Sequence, residues 1–535
     1  MEFDRSGSTV QEALQPEGGR LGAPPSLPAL TLLGHPDLSR TGERVFLPDL
    51  ARGRDVLLSR ERPLFAAPGD PGAGIPLGDP FLSRSPLRLE PLPPLGQGGV
   101  LLHLDGSRTR VSVDGEAVAE SRTLSAAELE DGAVLLLADR VVLLLQRRPA
   151  PLPGPAGGFG LLGESAGLEA VRRAVARVAP LPTAVLLRGE TGTGKEVVAR
   201  ALHEHGPRAG GPFVSVNLAA LPPSLAAAEL FGARRGAYTG SVRDQPGLFV
   251  LAHGGTLYLD EVGEAPPEIQ VMLLRALETG EVTAVGDPTP RKVDVRIVSA
   301  TDADLEEAIR RGTFRSPLLH RLSGYLIRLP PLRERKEDVG RLLVHFLRVE
   351  LERIGETLPP RGSAAPATPW LPAGLVSRLV RYPWPGNVRQ LQNVARQLAI
   401  DGRGQPVLLD SPELDALMPP MPGTAPAAPD RTPLLEPPPK ARGRRPAEIS
   451  EDEMIAALRA HRWNLKAAAD ALGIPRTSMY LLLERSERVR PAARVPAEEI
   501  LAAHARCGGD LEAMAAELEV SERALRQRLR DLGLP

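Results

Sequence analysis

Length, composition and charge exclude several classes of protein for this chain. Its 535 residues are too many for one hydrophobic core, so we expect roughly three or four domains. The formal charge is −1 and Cys507 is the single cysteine, which excludes a general excess of positive charge, internal disulfides and cysteine-based zinc sites. The amino terminus lacks the pattern of a signal peptide, and no run of about 18 apolar residues occurs. We therefore expect a soluble, cytoplasmic protein with no membrane partner.

The amino-terminal part has the pattern of a small β-sandwich. Short aliphatic runs alternate there with turn residues, at positions 100–104, 110–113, 133–137 and 141–146. We predict a flexible tail over residues 1–29, the sandwich over residues 30–148, and a linker rich in proline and glycine over residues 149–158.

The sequence pattern changes after residue 158. Apolar strands alternate with helical stretches over residues 159–330, which is typical of an α/β domain with a parallel sheet. A helical segment follows over residues 331–410. Residues 411–447 are rich in proline and cannot bury a core, so we predict an extended linker before the carboxyl-terminal part.

The carboxyl terminus contains an internal repeat, with one copy at residues 448–490 and the other at residues 491–535. The two copies align so that Leu472 matches Leu518 at the same offset as Met479 matches Leu525. The apolar positions of two short helices therefore recur together. Each copy is predicted to form a helix, a short turn and a second helix.

A phosphate-binding loop follows the apolar strand at residues 184–188. Its residues are Gly189, Glu190, Thr191, Gly192, Thr193, Gly194, Lys195 and Glu196. The glycines let backbone N–H groups turn towards a polyphosphate, and the helix that follows adds the positive end of its dipole. Lys195 supplies a positive charge for the β and γ phosphates of a nucleotide, although Glu196 stands where serine or threonine is usual.

A second buried strand, at residues 256–259, ends in two carboxylates. In a P-loop enzyme the first, Asp260, holds Mg²⁺ through water, and the second, Glu261, polarises the attacking water. Together with Lys195 they predict ATP and Mg²⁺ as ligands and ATP hydrolysis as the reaction.

The residues from about 159 to 400 resemble the AAA+ domain of sigma-54-dependent transcription activators. Four runs carry the resemblance in the family's order: 216–221 (VNLAAL), 229–232 (ELFG), 329–335 (LPPLRER) and 382–389 (YPWPGNVR). The family carries a glutamate after its phosphate-loop lysine, so Glu196 fits the family pattern. The resemblance implies a central α/β P-loop domain with a helical lid, ATPase activity and assembly into hexamers.

The resemblance also implies roles for the polar strand ends. Asn217 matches the residue that restrains Glu261 until the γ-phosphate is sensed, and Thr301 with Asp302 matches the sensor at the end of another strand. The family usually has asparagine at Asp302. A carboxylate there adds repulsion near the γ-phosphate, where an amide would donate a hydrogen bond.

Three arginines match positions that complete the family's ATPase site. Arg315 and Arg321 match the arginines that reach into a neighbouring subunit's site. Arg389 matches the sensor on the helical lid. The resemblance therefore implies a catalytic site shared between two subunits.

The loop at residues 236–241 corresponds to the family's sigma-54 contact. Its residues are Gly236, Ala237, Tyr238, Thr239, Gly240 and Ser241, and the family usually has phenylalanine at Tyr238 and alanine at Ser241. An aromatic residue and a threonine between glycines suit a mobile tip that meets a partner. The resemblance implies that ATP turnover moves this loop and remodels the closed promoter complex of sigma-54 RNA polymerase.

The amino-terminal sandwich resembles a forkhead-associated domain, which binds phosphothreonine. The resemblance rests on runs at residues 53–54 (GR), 79–84 (DPFLSR), 106–107 (GS), 114–115 (DG) and 130–132 (EDG). It implies a phosphate site formed by Arg54, Ser83, Arg84 and Thr109, and a phosphothreonine protein or a Ser/Thr kinase as partner. Pro86 stands where histidine is usual and Thr109 where asparagine is usual. The alternative is a packing domain that regulates without a ligand.

Each carboxyl-terminal repeat resembles a Fis-type helix-turn-helix, so we expect a tandem pair that binds enhancer DNA. The DNA contacts implied are Arg523, Arg526 and Arg530 on one helix face of the second repeat, and Arg476, Thr477, Ser478 and Tyr480 in the first. The family usually has a single such motif, which leaves a role in pairing open for one repeat.

Two functions from different classes fit these observations. The first is an ATP-hydrolysing activator of sigma-54 RNA polymerase that is gated by phosphothreonine recognition. The alternative is a phosphopeptide-gated scaffold or repressor whose ATPase has decayed, for which Asp302 and the altered loop at residues 236–241 argue. ATP turnover by the purified protein separates the two.

Overall fold

The computed structural model of the chain describes residues 26–69, 74–94, 98–149, 158–237, 243–358, 369–405, 407–408, 412–419, 450–460, 463, 465–472, 479, 495–507, 514, 517–518, 520, 525 and 528–529. The chain forms two compact units, Met1–Met421 and Pro422–Pro535. Among the helices of these described ranges, none is both long enough and apolar enough to cross a membrane.

The first unit begins with a β region, residues 26–149, built from two antiparallel sheets. Its strands are β1 (Ser26–Gly34), β2 (Arg44–Phe46), β3 (Val56–Leu58), β4 (Leu87–Pro91), β5 (Val100–His103), β6 (Val111–Val113), β7 (Glu116–Ala117), β8 (Ser121–Leu124), β9 (Ala133–Leu137) and β10 (Val141–Pro149). The six-stranded sheet has the order β2-β1-β10-β9-β6-β7 and the four-stranded sheet the order β3-β4-β5-β8. Two short helices, α1 (Pro48–Ala51) and α2 (Ala126–Asp131), connect strands. Strand β1 begins before the expected start at residue 30, because its first residues pair with the end of β10.

Strand β10 is buried on both faces. Leu143 and Leu145 point into an apolar core that both sheets share, whereas Val142 and Leu144 belong to a different core. Successive side chains of a strand point to opposite faces, so burial on both sides requires a continuous apolar run. This explains why residues 141–145 are all aliphatic.

A parallel sheet forms the centre of the first unit, as predicted. Its strands and two small antiparallel pairs are β11 (Val185–Arg188), β12 (Phe213–Asn217), β13 (Gly232–Ala233), β14 (Gln245–Pro246), β15 (Thr256–Asp260), β16 (Glu281–Val282), β17 (Arg291–Lys292), β18 (Arg296–Thr301) and β19 (Tyr325–Arg328). The five parallel strands have the order β12-β15-β18-β11-β19. Apolar cores lie on both faces of this sheet.

Seven helices surround the parallel sheet in the described residues: α3 (Ala166–Val178), α4 (Lys195–Glu204), α5 (Pro223–Phe231), α6 (Leu248–Leu251), α7 (Pro267–Thr279), α8 (Leu305–Arg310) and α9 (Ser316–Leu322). Helix α3 begins at a Ser165 cap, whose hydroxyl accepts from Leu168 N. The N-terminus of α4 follows the loop that β11 leads into, which places backbone donors at one edge of the sheet.

A helical lid completes the first unit. It contains α10 (Lys336–Arg353), α11 (Ala373–Arg381), α12 (Asn387–Asp401) and α13 (Pro412–Leu417). Helices α10 and α12 lie side by side, and Trp384 is fully buried between the lid elements, with its indole N–H donating to Leu379 O at 2.9 Å. The lid and the parallel sheet together form the α/β domain with helical lid that the sequence predicts.

The six-stranded sheet of the β region lies on the lid. Val134, Val142 and Leu144 of this sheet share one apolar core with lid residues, among them Leu343 and Val376. Helix α10 approaches β1 closely. We call this contact the β–lid interface. The apolar core that Val142 and Leu144 of β10 enter is therefore the core of the lid.

The second unit contains α14 (Glu451–Ala460), α15 (Leu465–Leu472) and α16 (Ala497–Cys507). Its apolar residues form two separate clusters. Met479 and Leu525, which the repeat alignment pairs, are both fully buried, one in each cluster. The two predicted repeats thus have their own small cores.

Candidate nucleotide-binding site

The polar residues that follow the parallel strands meet at one edge of the sheet. Asn217 at the end of β12 pairs in register with Asp260 at the end of β15, and Arg188 at the end of β11 pairs with Thr301 at the end of β18. The carboxyl ends of parallel strands form the usual ligand crevice of such sheets. The structure therefore brings the predicted site residues Asn217, Asp260 and Thr301 to the same edge.

The phosphate loop holds its lysine in a buried position. The Lys195 side chain is only 6% exposed, and its amino group donates to Gly189 O at 2.8 Å and lies 3.4 Å from the Glu261 carboxylate. Gly194 adopts φ +104° directly before α4, a backbone conformation that glycine reaches without strain. The charge of Lys195 is thus fixed between the loop and the end of β15.

Asp260 and Glu261 occupy different environments. Asp260 accepts hydrogen bonds from the Tyr258 hydroxyl at 3.0 Å and from Glu261 N at 3.2 Å. Glu261 has φ +51°, which is uncommon for a residue with a side chain and is found at functional sites. Burial raises the pKa of Glu261, although the nearby Lys195 ammonium opposes this shift. A carboxylate with a raised pKa is a better proton acceptor.

Asn217 is close to the carboxylates but is bonded elsewhere. Its amide oxygen accepts from Ala219 N at 2.9 Å and caps a short 3-10 turn, residues 218–220. Within the described residues, no hydrogen bond joins its side chain to Glu261. Asn217, which is expected to restrain Glu261, therefore lies at the predicted edge of the sheet, but its side chain is hydrogen-bonded to Ala219 N rather than to Glu261.

Asp302 connects the strand β18 to the phosphate loop. Its carboxylate accepts from the Thr191 hydroxyl at 2.6 Å, and its backbone N–H donates to Glu261 at 3.3 Å. Thr301, directly before it, is buried and accepts from Ala303 N at 3.1 Å. The negative charge of Asp302 also raises the pKa of Glu261. The carboxylate of Asp302 thus affects both the phosphate loop and Glu261.

The lid holds the phosphate loop through residues to which the sequence analysis assigned no role. Arg333 donates two hydrogen bonds to the Glu190 carboxylate, at 2.6 and 2.9 Å, and these bonds lower the pKa of Glu190. The fully buried Asn387 donates to Glu190 at 3.0 Å and to Thr191 O at 3.1 Å, while its amide oxygen accepts from Leu332 N. Both residues stand in the runs that carry the family resemblance, which is the signal that could have found them.

The lid also approaches the middle of the loop closely. Gly192 has φ +78°, and a β-carbon at this position would lie 2.4 Å from Gly386 O. Only glycine fits there. Arg389 follows in the same turn: its backbone N–H lies 3.4 Å from Gly192 O and its side chain is exposed.

Two cavities flank the phosphate loop. One, of about 230 Å³, is mostly apolar and is lined by Leu161, Leu162, Val197, Leu342, His345, Phe346 and Val388 among others. The other, of about 550 Å³, is lined by several charged residues, among them Arg188, Asp302, Arg328 and Arg333. The walls of the apolar cavity come from distant parts of the chain, so no local sequence pattern predicted it.

Arg315 and Arg321 lie on the surface at the two ends of α9. Arg315 is exposed and its backbone N–H donates to Gln270 at 2.9 Å. Arg321 is 57% exposed and pairs with Glu278 at 3.5 Å. These arginines are therefore not brought to the phosphate loop of their own chain by any contact in the described residues.

Ion pairs fix the base of the loop at residues 236–241. Arg234 pairs with Asp244 at 2.6 Å and with Asp287 at 2.8 Å, and β13 pairs with β14 across the base. Gly236 and Ala237 belong to this base. The predicted contact residues Tyr238, Thr239, Gly240 and Ser241 lie outside the described residues.

The loops of the β region bring some of the predicted phosphate ligands together. Ser83 N donates to the Thr109 hydroxyl at 2.9 Å, and the Ser83 hydroxyl accepts from Ser85 N at 3.1 Å. Arg84 is 77% exposed and lies 3.5 Å from Glu61. Arg54 is also exposed. The structure thus joins Ser83 to Thr109 and leaves two arginines at the surface.

The predicted DNA contacts lie outside the described residues. They are Arg476, Thr477, Ser478 and Tyr480 of the first repeat and Arg523, Arg526 and Arg530 of the second. The buried positions between them, Met479 and Leu525, are described.

Comparison with known proteins identifies the domains that surround this site. The Sigma-54 interaction domain matches residues 161–328, the AAA+ ATPase lid domain matches residues 333–411, and the Fis family of bacterial regulatory proteins matches residues 445–485. The first two matches cover the phosphate loop, the strand ends and the lid contacts described above. The third covers the first of the two predicted repeats.

Several characterised regulators are similar over most of the chain. The DNA-binding transcriptional regulator NtrC of Azospirillum brasilense is 40% identical over 390 residues, which is 72% of this chain and 73% of that protein. The nitric oxide reductase transcription regulator NorR1 of Cupriavidus necator is 38% identical over 419 residues, 74% of this chain and 79% of that protein. The chain spans about half of the length of NtrC from Escherichia coli K12, with 44% identity over 54% of that protein.

Among solved structures, NtrX of Brucella abortus in complex with ADP is similar at 31% identity and a TM-score of 0.43, covering 70% of this chain and 69% of that one. The family matches and the regulators lead to one assignment. The chain belongs to the family of sigma-54-dependent transcriptional regulators related to NtrC, and its central domain is an AAA+ ATPase with a lid, followed by a Fis-type helix-turn-helix.

Proposed function

We propose that this protein activates transcription by using ATP hydrolysis to remodel the closed complex of sigma-54 RNA polymerase at promoters whose enhancer DNA it binds. The observation that carries this proposal is the convergence of Lys195, Glu261 and Asp302 at one sheet edge, next to a lid that is bonded to the phosphate loop. Open-complex formation by purified sigma-54 holoenzyme tests it. We expect open complexes with ATP and none with a non-hydrolysable analogue.

The nucleotide occupies the edge of the parallel sheet in this proposal. The loop from Gly189 to Glu196 holds the phosphates, and the apolar cavity between Val197 and Phe346 holds the base. The hard carboxylate oxygens of Asp260 fit Mg²⁺, which usually binds one or two carboxylates together with phosphates and water. Bound Mg²⁺ neutralises charge that develops on the phosphates.

The protein's own residues then divide the catalytic work. Glu261 accepts a proton from the attacking water, and its raised pKa supports this role. Asn217, one strand away, is placed to exchange its bond with Ala219 N for one with Glu261. Thr301 and Asp302 sense the γ-phosphate, because Asp302 already contacts the loop through Thr191.

Assembly into a hexamer completes the site in this proposal. Arg315 and Arg321 are exposed on α9, where a neighbouring subunit is able to receive them, and Arg389 lies beside the loop of its own chain. Such arginines stabilise the charge of phosphoryl transfer. Sedimentation with ATP and Mg²⁺ tests this part, because the hexamer should form only when nucleotide bridges two subunits.

The loop at residues 236–241 is the proposed contact with sigma-54. Its charged base, Arg234 with Asp244 and Asp287, connects it to the turn between β16 and β17. We expect Thr239→Ala to abolish open-complex formation while ATP turnover stays within about two-fold of the unmodified protein. Open complexes at the normal rate with this variant contradict the proposed contact.

The β region is proposed to be a forkhead-associated-like sandwich that recognises phosphothreonine in a partner protein or Ser/Thr kinase. Ser83, Arg84 and Thr109 lie together, and Arg54 is exposed as a fourth possible donor. Hydroxyl and guanidinium groups form strong hydrogen bonds to phosphate. Binding of a phosphothreonine peptide library to the full-length protein tests this assignment, with the dephosphorylated library as control.

The carboxyl-terminal unit is proposed to read enhancer DNA through a tandem pair of helix-turn-helix motifs. The separate apolar clusters around Met479 and Leu525 support two similar folds. The arginines of the last helix, Arg523, Arg526 and Arg530, and the residues 476–480 of the first repeat are the expected contacts. Footprinting of an enhancer with each helix substituted separately shows which repeat reads DNA.

One observation favours the second candidate function, a phosphopeptide-gated scaffold or repressor with a decayed ATPase. Asp302 places a carboxylate in contact with Thr191 of the phosphate loop, where its charge would repel a bound γ-phosphate. A turnover number near zero in the purified hexamer supports this candidate. Measurable ATP-dependent open-complex formation excludes it.

A further inference from the structure

The first turn of α10 is bonded to the β region. The Glu337 carboxylate lies 3.2 Å from the guanidinium of Arg148 on β10, and the two side chains are only 8% and 6% exposed. Beside them, Lys336 pairs with Asp131 at the end of α2. Residues 335–338 therefore contact two elements of the β region. We call these four residues the junction turn.

The same turn is bonded to the phosphate loop. Arg335 is 3% exposed and donates to Thr193 O at 3.1 Å. In a trans peptide the C=O and the following N–H point in opposite directions. A donor that holds Thr193 O on the outside of the loop therefore turns Gly194 N–H towards the inside, where a phosphate binds.

The junction turn also fixes the start of the α/β domain. Asp338 accepts from Glu164 N at 2.5 Å and from Ser165 N at 3.0 Å, and Arg148 donates to Glu164 O. Ser165 caps α3. The ion pair between Arg148 and Glu337 thus lies in the middle of a network that includes the entry to the ATPase domain.

The apolar part of the β–lid interface leaves little freedom for this network to shift. A β-carbon at Gly340, one turn along α10, would lie 2.4 Å from Leu33 O on β1, so glycine permits the close approach. Val142 and Leu144 of β10 lie in the same apolar core as lid residues. Because packed interiors have low compressibility, a displacement of β10 also displaces α10.

We infer that Arg335 and Glu337 are positioning residues for ATP binding, which orient the phosphate loop according to how the β region is seated on the lid. The path begins at the ion pair between Arg148 and Glu337 and continues through the junction turn to Arg335. It ends at the hydrogen bond from Arg335 to Thr193 O. The β region acts on the ATPase through the lid.

The test uses the full-length protein and two measurements, the dissociation constant of a fluorescent ADP analogue and the thermal unfolding midpoint. Arg148→Met with Glu337→Met removes both charges of the pair together. Such apolar replacement leaves no unpaired buried charge and is usually compatible with folding. We expect a folded protein whose dissociation constant rises about five-fold, in the range that coupling between sites spans.

A matched control comes from a second buried ion pair of the β region. Arg140 and Asp79 lie 2.9 Å apart and are 5% and 0% exposed, and both belong to the β region. Arg140→Met with Asp79→Leu should leave the dissociation constant within about two-fold. A five-fold rise in this control as well overturns the inference, because any damage to the β region would then have the same effect.

Two further experiments test the role of Arg335. The first substitutes Arg335 alone, and the second combines Arg335→Met with the Arg148→Met, Glu337→Met changes. Arg335→Met should weaken ADP binding, and Arg335→Lys should restore part of it because lysine still donates to Thr193 O. Adding Arg335→Met to the Arg148→Met, Glu337→Met protein should weaken binding little further, because both changes interrupt one path. Fully additive effects contradict the path. A lower unfolding midpoint with unchanged ADP binding shows a purely structural role and overturns the inference.

Discussion

The two candidate phosphate sites of the first unit differ in how firmly their cations are held. Lys195 of the nucleotide site is 6% exposed, and its amino group is held by Gly189 O of the loop and by Glu261. Arg84 of the β region is 77% exposed and its nearest charged group is a surface glutamate. An ion in a buried, fixed position interacts strongly and without reorganisation, whereas an exposed arginine is hydrated and free to move. The first arrangement suits catalysis and the second suits reversible recognition.

The largest effect is expected at the buried cation. Lys195→Ala should lower ATP turnover by about 10³-fold, because a fixed charge on the transferred phosphate is lost. Phosphate release by the purified protein measures this. Arg200→Ala removes an exposed cation from the same helix, α4, and should change turnover less than about two-fold. Similar losses of ATP turnover in both variants would show that the buried, fixed cation contributes no more than the exposed one.

The next effect separates chemistry from binding within the nucleotide site. Glu261→Gln should lower turnover by about 10²-fold and leave ADP affinity nearly unchanged, because the amide cannot accept the proton of the attacking water. Turnover and ADP binding are measured on the same preparation. Glu264→Gln, an exposed change in the next turn, serves as control. Equal losses of turnover and affinity would assign Glu261 to binding rather than catalysis.

A smaller effect is expected at the exposed site. Arg84→Ala should weaken the binding of a phosphothreonine peptide about ten-fold, the value of one hydrogen bond to a charged group, and leave ATP turnover of the isolated protein unchanged. Titration with the phosphorylated peptide measures this. Arg110→Ala, an exposed arginine beside the same loop, should bind normally. If the unmodified protein binds no phosphothreonine peptide, the alternative of a packing domain without a ligand is supported.

The smallest effect is expected from removing the negative charge of Asp302, which contacts both Thr191 of the phosphate loop and Glu261. Asp302→Asn should raise turnover about three-fold, because it removes a negative charge beside the γ-phosphate while its oxygen still accepts from Thr191. Asp302→Ala removes the charge and the hydrogen bond together and should not show this rise. A fall in turnover with Asp302→Asn would show that the carboxylate itself is required.

The local pattern of the chain predicted the elements better than their contacts. The alternation of apolar strands and helices predicted the parallel sheet, and the glycines around Lys195 predicted a loop before α4, since both signals depend on neighbours in sequence. The aliphatic run at residues 141–146 predicted a strand of the sandwich. It did not indicate that a lid helix covers its second face, because a strand's own residues do not specify which surface they meet.

The site residues show the same division. Asp260 was predicted because it follows a buried strand in a chain with a phosphate loop, and Asp302 because it matches the sensor position of the family that the chain resembles. Asn387 and Arg333 were not assigned, although they bond the loop directly, because their partners are brought close only by the folding of the lid. The apolar cavity was missed for the same reason.

By itself, the sequence determined the order of the domains, the phosphate loop with its lysine, the paired carboxylates after β15 and the kinship with sigma-54-dependent regulators. Those features depend on short runs of residues with fixed backbone requirements. Only the tertiary structure decided that the β region shares a core with the lid and that Arg148 meets Glu337. Contacts between distant segments depend on how complete surfaces fit together, and no local pattern of charge or hydrophobicity specifies the partner surface.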